Sequence, residues 1–105
     1  MKIGILVREE TMQICMGNGY LNAFFQRKDS FARYDEELEL LTFTHSGGDL
    51  NLKIKNMIQA GIESVHLSSC LRARSPDYAA LVERLAEHFT VVGYTHGPEV
   101  RIRQK

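Results

Sequence analysis

The stretch Ser64-Val65-His66-Leu67-Ser68-Ser69-Cys70 decides the fold, because it is a short apolar strand that runs directly into a turn of small polar residues. In open α/β sheets, ligands bind in the crevice outside the carboxyl ends of the strands, where such turns lie. A second apolar strand, Ile3-Gly4-Ile5-Leu6-Val7, is followed in the same way by a segment that contains Cys15. The sequence therefore predicts that two thiols, far apart along the chain, share one site.

The rest of the chain alternates strand and helix patterns. Strands are predicted over residues 3–7, 37–44, 64–68 and 90–93, and helical stripes lie between them over residues 19–28, between Asp49 and Gly61, and from Ser75 to Phe89. Asp49 is a suitable N-cap, and Gly61 stands where a left-handed C-cap is expected.

This alternation predicts a three-layer α/β fold, with a flavodoxin-like four-stranded parallel sheet of order 2-1-3-4 and helices on both faces. All 105 residues are expected to form a single domain. Residues 98–105 are expected to add an edge strand or to form a mobile tail.

Charge and hydropathy exclude several function classes. Thirteen basic and thirteen acidic residues cancel, so the chain offers no electrostatic case for binding nucleic acid. We find no apolar stretch near the roughly 20 residues that a membrane-spanning helix needs. We therefore expect a cytoplasmic protein, in which the two cysteines are reduced, reactive or bound to a metal rather than paired in a structural disulfide.

Candidate metal ligands follow each of the four predicted strands. Thiolate and imidazole groups are the common ligands of zinc, and a carboxylate oxygen can complete a site. The candidate ligands are Cys15, His45, Cys70 and His96, with Asp49 in reserve. The expected partner is accordingly a metal ion, zinc or iron, or a small ligand.

Four segments carry a resemblance to a known family. They are Thr11-Met12-Gln13-Ile14-Cys15-Met16-Gly17, Ala32-Arg33-Tyr34-Asp35, Phe43-Thr44-His45-Ser46-Gly47-Gly48-Asp49 and His66-Leu67-Ser68-Ser69-Cys70. In order and spacing they resemble the CGGC-domain family of small prokaryotic proteins, which is associated with metal binding. The resemblance runs from Lys2 to about Gly97, and it implies the α/β fold given above.

The chain departs from the family pattern at most of the cysteines. The family's Cys-Gly-Gly-Cys motif corresponds to Ser46-Gly47-Gly48-Asp49, which contains no thiol. The first loop of the family usually reads Cys-Pro-Gly-x-x-Cys, whereas this chain has Cys15-Met16-Gly17-Asn18-Gly19-Tyr20. The family often has a further cysteine after the one that matches Cys70, and none follows here. The resemblance therefore implies a divergent member that lacks most of the metal-binding thiols.

Three alternatives to a metal site remain open. Cys15 and Cys70 could form the active pair of a thiol redox protein, because Arg72 and Arg74 after Cys70 would favour its thiolate. A ligand or anion site could be built from Arg8, Ser46, Gly47, Gly48, Arg72 and Arg74. The third alternative is a non-catalytic interaction subunit with a degenerate metal site, for which a homodimer is one expected form. No catalytic residue is predicted.

Overall fold

The computed structural model describes residues 1–96, and its strands form one parallel sheet. The strands are β1 (Lys2–Val7), β2 (Glu39–His45), β3 (Ser64–Leu67) and β4 (Thr90–Val92). Their order is β2-β1-β3-β4, and each neighbouring pair runs parallel. The predicted fold class and strand order are confirmed. Residues 98–105, for which an edge strand or tail was expected, lie outside the described residues.

Helices connect the strands. The α-helices are α1 (Asn18–Phe25), α2 (Leu50–Ala60), α3 (Ser69–Arg74) and α4 (Tyr78–Ala86), and short 3₁₀ helices cover Glu10–Gln13 and Asp29–Arg33. Within the described part of the chain, none of the helices is long and apolar enough to cross a membrane.

Side-chain alternation along β1 divides the core between the two faces of the sheet. One face buries Ile3, Ile5 and Val7 against α1 and the second 3₁₀ helix, in a cluster completed by Tyr20, Ala23, Phe24 and Phe31. The other face buries Leu6, together with Val65 and Leu67 of β3, against α2 and α4. Helices therefore cover both faces, as the sequence predicts. Within α2, Ile54 and Met57 are buried, but Ile58, which belongs to the predicted apolar stripe, is about half exposed.

The helix after β3 begins earlier than its sequence suggests. The sequence predicts a helix that begins at Ser75, but Ser75 is instead the C-cap of α3, a separate helix that starts at Ser69. The N-cap of α3 is Ser68, whose hydroxyl oxygen accepts a hydrogen bond from the Leu71 N–H group at 3.1 Å. Cys70 consequently lies in the first turn of a helix and not in the predicted loop.

Candidate functional site

The hydroxyl group of Tyr20 is influenced by both cysteines. Tyr20 belongs to α1 and is buried. Burial raises the pKa of its hydroxyl group. The charges of Cys15 and Cys70 raise this pKa further, as does hydrogen bonding with the Cys15 side chain. Both thiols therefore lie within electrostatic range of one hydroxyl group.

Cys15 is held at the start of α1. Its sulfur accepts a hydrogen bond from the backbone N–H of Gly17 at 3.3 Å. Gly17 has a left-handed backbone with φ of 83°, and a Cβ atom there would lie 3.0 Å from the Tyr20 ring. A glycine at this position therefore allows both the turn and the close approach of the ring.

A hydrogen bond joins the start of α3 to the segment after β4. The hydroxyl group of Ser69 donates a hydrogen bond to the His96 carbonyl at 3.1 Å. The His96 ring lies 6.3 Å from the Tyr20 ring, centroid to centroid. A Cβ atom on Gly19 would come within 2.8 Å of His96 Nε2, so the absence of a side chain at this position makes room for the imidazole. We call Cys15, Tyr20, Cys70 and His96 the thiol pocket.

His45 and Asp49 have other partners. Nδ1 of His45 accepts a hydrogen bond from the Gly47 N–H at 3.1 Å and lies 3.9 Å from the Glu9 carboxylate. The Asp49 carboxylate accepts from the Leu52 N–H at 3.1 Å and so caps α2. The structure shows a local role for each of these two side chains in the loop after β2.

The model of the CGGC domain matches residues 2–96. The chain belongs to the CGGC domain family. No significant match was found among curated proteins or among solved structures.

The donor set of this CGGC domain does not match a closed zinc site. A structural zinc ion takes four nitrogen or sulfur ligands in a tetrahedron. Among residues 1–96, no group of three or more His, Cys, Asp or Glu side chains is arranged to hold a metal ion. Both cysteines are free, with Cys15 exposed and Cys70 partly buried. The thiol pocket thus offers two sulfur ligands and a nearby imidazole, without a preassembled tetrahedral site.

A cavity of about 570 Å³ opens at the same sheet edge, on the face covered by α2 and α4. Three of the predicted anion-binding residues, Arg8, Ser46 and Gly47, line it, together with Arg84 of α4. The guanidinium of Arg72 is instead buried and lies 5.9 Å from the centre of the Tyr94 ring. The structure therefore separates the predicted anion-binding residues into different environments.

The sequence interpretation missed the role of Tyr20, which it treats as a packing residue. By the family resemblance, Tyr20 stands at the position of the second cysteine in the first loop. That correspondence could have identified Tyr20 as a pocket residue, because side chains at equivalent positions of one fold occupy similar positions in space. Its hydroxyl group now faces the thiols.

Proposed function

We propose that this CGGC domain binds a metal ion through the thiolates of Cys15 and Cys70, with His96 as a neighbouring nitrogen ligand. The observations that support the proposal most directly are that the charges of both cysteines raise the pKa of the Tyr20 hydroxyl group and that the His96 ring lies 6.3 Å from the Tyr20 ring. Family membership supports it independently, because the resemblance associates CGGC domains with metal binding.

The residues of the pocket have distinct parts in this function. The sulfur atoms act as ligands only when deprotonated, so binding releases protons to solvent. The Gly17 N–H and the Tyr20 hydroxyl group hold the Cys15 side chain in place. The nearby Thr95 hydroxyl, whose Oγ1 lies 3.1 Å from His96 Nδ1, fixes the orientation of the imidazole. Partners of this kind around the ligands typically raise metal affinity.

Equilibrium dialysis against Zn²⁺, with metal measured by atomic emission, tests the proposal. We expect Cys15→Ser and Cys70→Ser each to lower the affinity strongly, while His45→Gln, a matched control outside the thiol pocket, leaves it unchanged. Bound metal should also slow alkylation of both cysteines by iodoacetamide in the parent protein.

Two results would contradict the proposal. Metal binding that survives in the Cys15→Ser/Cys70→Ser double variant would show that the metal binds elsewhere in the protein. If the parent protein binds no metal, the remaining interpretations apply. Mild oxidation that yields an intramolecular Cys15–Cys70 disulfide would then favour the redox protein, and persistently free thiols would favour the interaction subunit.

The cavity supports a second candidate function, the binding of a small organic anion with an apolar portion. Arg8 and Arg84 supply positive charge, and Ser46 supplies a hydroxyl group. The remaining lining residues are the apolar Leu50, Leu71, Pro76, Ala80 and Leu81, with Gly47, Ser75 and the acidic Glu9, Glu10 and Asp77. The carboxylates disfavour a ligand of high negative charge, so a monocarboxylate fits better than a phosphate.

Calorimetric titration with hexanoate and with inorganic phosphate tests this second candidate. We expect hexanoate to bind and Arg84→Gln to weaken its binding. Arg74→Gln changes an exposed arginine on α3 and is the matched control. Equal loss in both variants, or tighter binding of phosphate than of hexanoate, would argue against a specific site for an apolar anion.

A further inference from the structure

We propose that the cavity beside α4 binds a free α-amino acid with an apolar side chain, with Asp77 as the partner of its ammonium group and Arg84 as the partner of its carboxylate. This inference rests on the second candidate function and specifies the class of its ligand. Its starting point is that charged side chains of both signs line the cavity and that the acidic ones outnumber the basic ones. They are Glu9, Glu10, Asp77, Arg8 and Arg84. A purely anionic ligand meets repulsion from such a lining, whereas a zwitterion offers a partner to each sign of charge.

Asp77 and Arg84 differ from Arg8 in having no charged partner in the protein. The guanidinium of Arg8 lies 3.7 Å from the Glu10 carboxylate. Among residues 1–96, no basic side chain forms an ion pair with Asp77, and no acidic side chain forms one with Arg84. Asp77 is the N-cap of α4, yet its side chain accepts no capping hydrogen bond from the helix. Both charged groups are therefore available to a ligand in the cavity.

Asp77 and Arg84 lie two turns apart on the same side of α4. The N–H of Leu81 donates a hydrogen bond to the Asp77 carbonyl at 3.0 Å, so the helical turn already includes Asp77. Ala80 and Leu81, between the two charged residues, also line the cavity. At 1.5 Å per residue, the backbones of Asp77 and Arg84 are about 10 Å apart along the helix axis. Long side chains on a helix lean toward its N-terminus, which is the direction from Arg84 to Asp77. The two groups can therefore bind one ligand whose ammonium and carboxylate share a carbon atom.

The apolar part of the lining comes from the core on the same face of the sheet. Leu71 and Leu81 are buried members of that core cluster, and Leu50 is partly buried against it. Burial of an aliphatic side chain of the ligand against these leucines favours binding through the hydrophobic effect. A cavity of about 570 Å³ has room for an amino acid of the size of leucine. The charged groups and the leucines together therefore favour an apolar amino acid over a polar one.

Calorimetric titration of the protein with three ligands of one carbon skeleton tests the inference. The ligands are L-leucine, 4-methylpentanoate, which lacks the ammonium group, and 3-methylbutylamine, which lacks the carboxylate. We expect L-leucine to bind about tenfold more tightly than either of the others, a difference of about 1.4 kcal/mol. Asp77→Asn should remove this advantage over 4-methylpentanoate, and it keeps a good N-cap on α4 because asparagine caps as well as aspartate does. The matched control is Glu83→Gln, which removes the same charge from an exposed position of α4 outside the cavity.

The outcomes separate the failure of this inference from that of the second candidate function. If 4-methylpentanoate binds as tightly as L-leucine, the ammonium group is not recognised; the inference is then wrong, while the binding of an apolar anion stands. If L-leucine binds equally well to the parent protein and to Asp77→Asn, Asp77 is not its partner and the inference is also wrong. If none of the three ligands binds, or if 3-methylbutylamine binds most tightly, both proposals fall. Far-ultraviolet circular dichroism of each variant shows whether the fold is retained.

Discussion

The hydroxyl oxygen of Tyr34 lies 2.7 Å from Nε2 of His66, in the buried centre of the sheet face that α1 covers. On the other side of the imidazole, Nδ1 lies 2.9 Å from the Ser30 hydroxyl oxygen. Ser30 donates its own proton to the Thr95 carbonyl at 2.9 Å, so it accepts from Nδ1–H. Nε2 is therefore the acceptor and Tyr34 the donor. The histidine is neutral and fully hydrogen-bonded, and its ring stacks on Phe31 at 4.2 Å.

This network predicts that the protein loses stability in mild acid. Burial lowers the pKa of His66 to about 4, and the positive charge of Arg33 acts in the same direction. Between pH 4 and the ordinary value of 6.5 the unfolded chain binds the extra proton, so stability falls as the pH falls through this window. The loss of unfolding free energy that this one histidine causes across the window is about 3 kcal/mol. Urea denaturation at a series of pH values measures it.

The variants His66→Gln and His88→Gln test whether His66 causes the loss of stability in mild acid. His66→Gln should reduce the dependence of the unfolding free energy on pH between 4 and 6.5. His88→Gln alters an exposed histidine and should leave that dependence as in the parent protein. An identical pH dependence in the parent and in His66→Gln would show that His66 is not the group responsible.

Tyr34→Phe should destabilise the protein while preserving the apolar packing of the ring. The substitution leaves the buried Nε2 of His66 without its donor, which costs about 1–3 kcal/mol. Tyr94→Phe is the control, because Nδ1 of His66 lies 3.3 Å from the backbone carbonyl oxygen of Tyr94, and the substitution keeps this carbonyl. Equal unfolding free energies for Tyr34→Phe and the parent would show that water replaces the lost donor at no cost.

Leu85→Ala should cost about 2–5 kcal/mol of unfolding free energy, because it creates a cavity in a packed core. Leu85 is completely buried on α4, as its apolar stripe predicts, and belongs to the cluster that includes Leu6. Leu52→Ala on α2 removes a leucine that is 51% exposed and should change stability by less than about 0.5 kcal/mol. Similar losses from the two substitutions in guanidinium denaturation would contradict the packing of α4.

Asp49→Ala should lower the unfolding free energy by about 1 kcal/mol through loss of the α2 cap. Asp49→Asn keeps an oxygen acceptor and should be close to the parent. Neither substitution should change metal affinity, since the carboxylate is directed to the Leu52 N–H. A loss of metal binding in both variants would restore Asp49 as a ligand.

Local patterns were sufficient to predict most of the fold. The apolar strands around Ile5 and Val65, the capping pair of Asp49 and Gly61, and the stripe that buries Leu81 and Leu85 are all confirmed. Each depends on the period of side chains along one element or on the backbone preference of one residue, and both are properties of short stretches. The separate helix α3 was not predicted, because its six residues are too few to show a helical stripe of apolar side chains.

The sequence by itself determined the α/β class and the order of the strands, and it predicts both thiols at the carboxyl edge of the sheet. Only the tertiary structure decided which side chains meet at that edge. It let both cysteines raise the pKa of Tyr20, brought His96 next to Tyr20, and gave His45 and Asp49 partners in their own loop. The physical reason is that periodicity assigns a residue to a face or to an end of an element, whereas a site depends on distances between elements. Those distances are set by packing of the whole core, which no single stretch of the chain encodes.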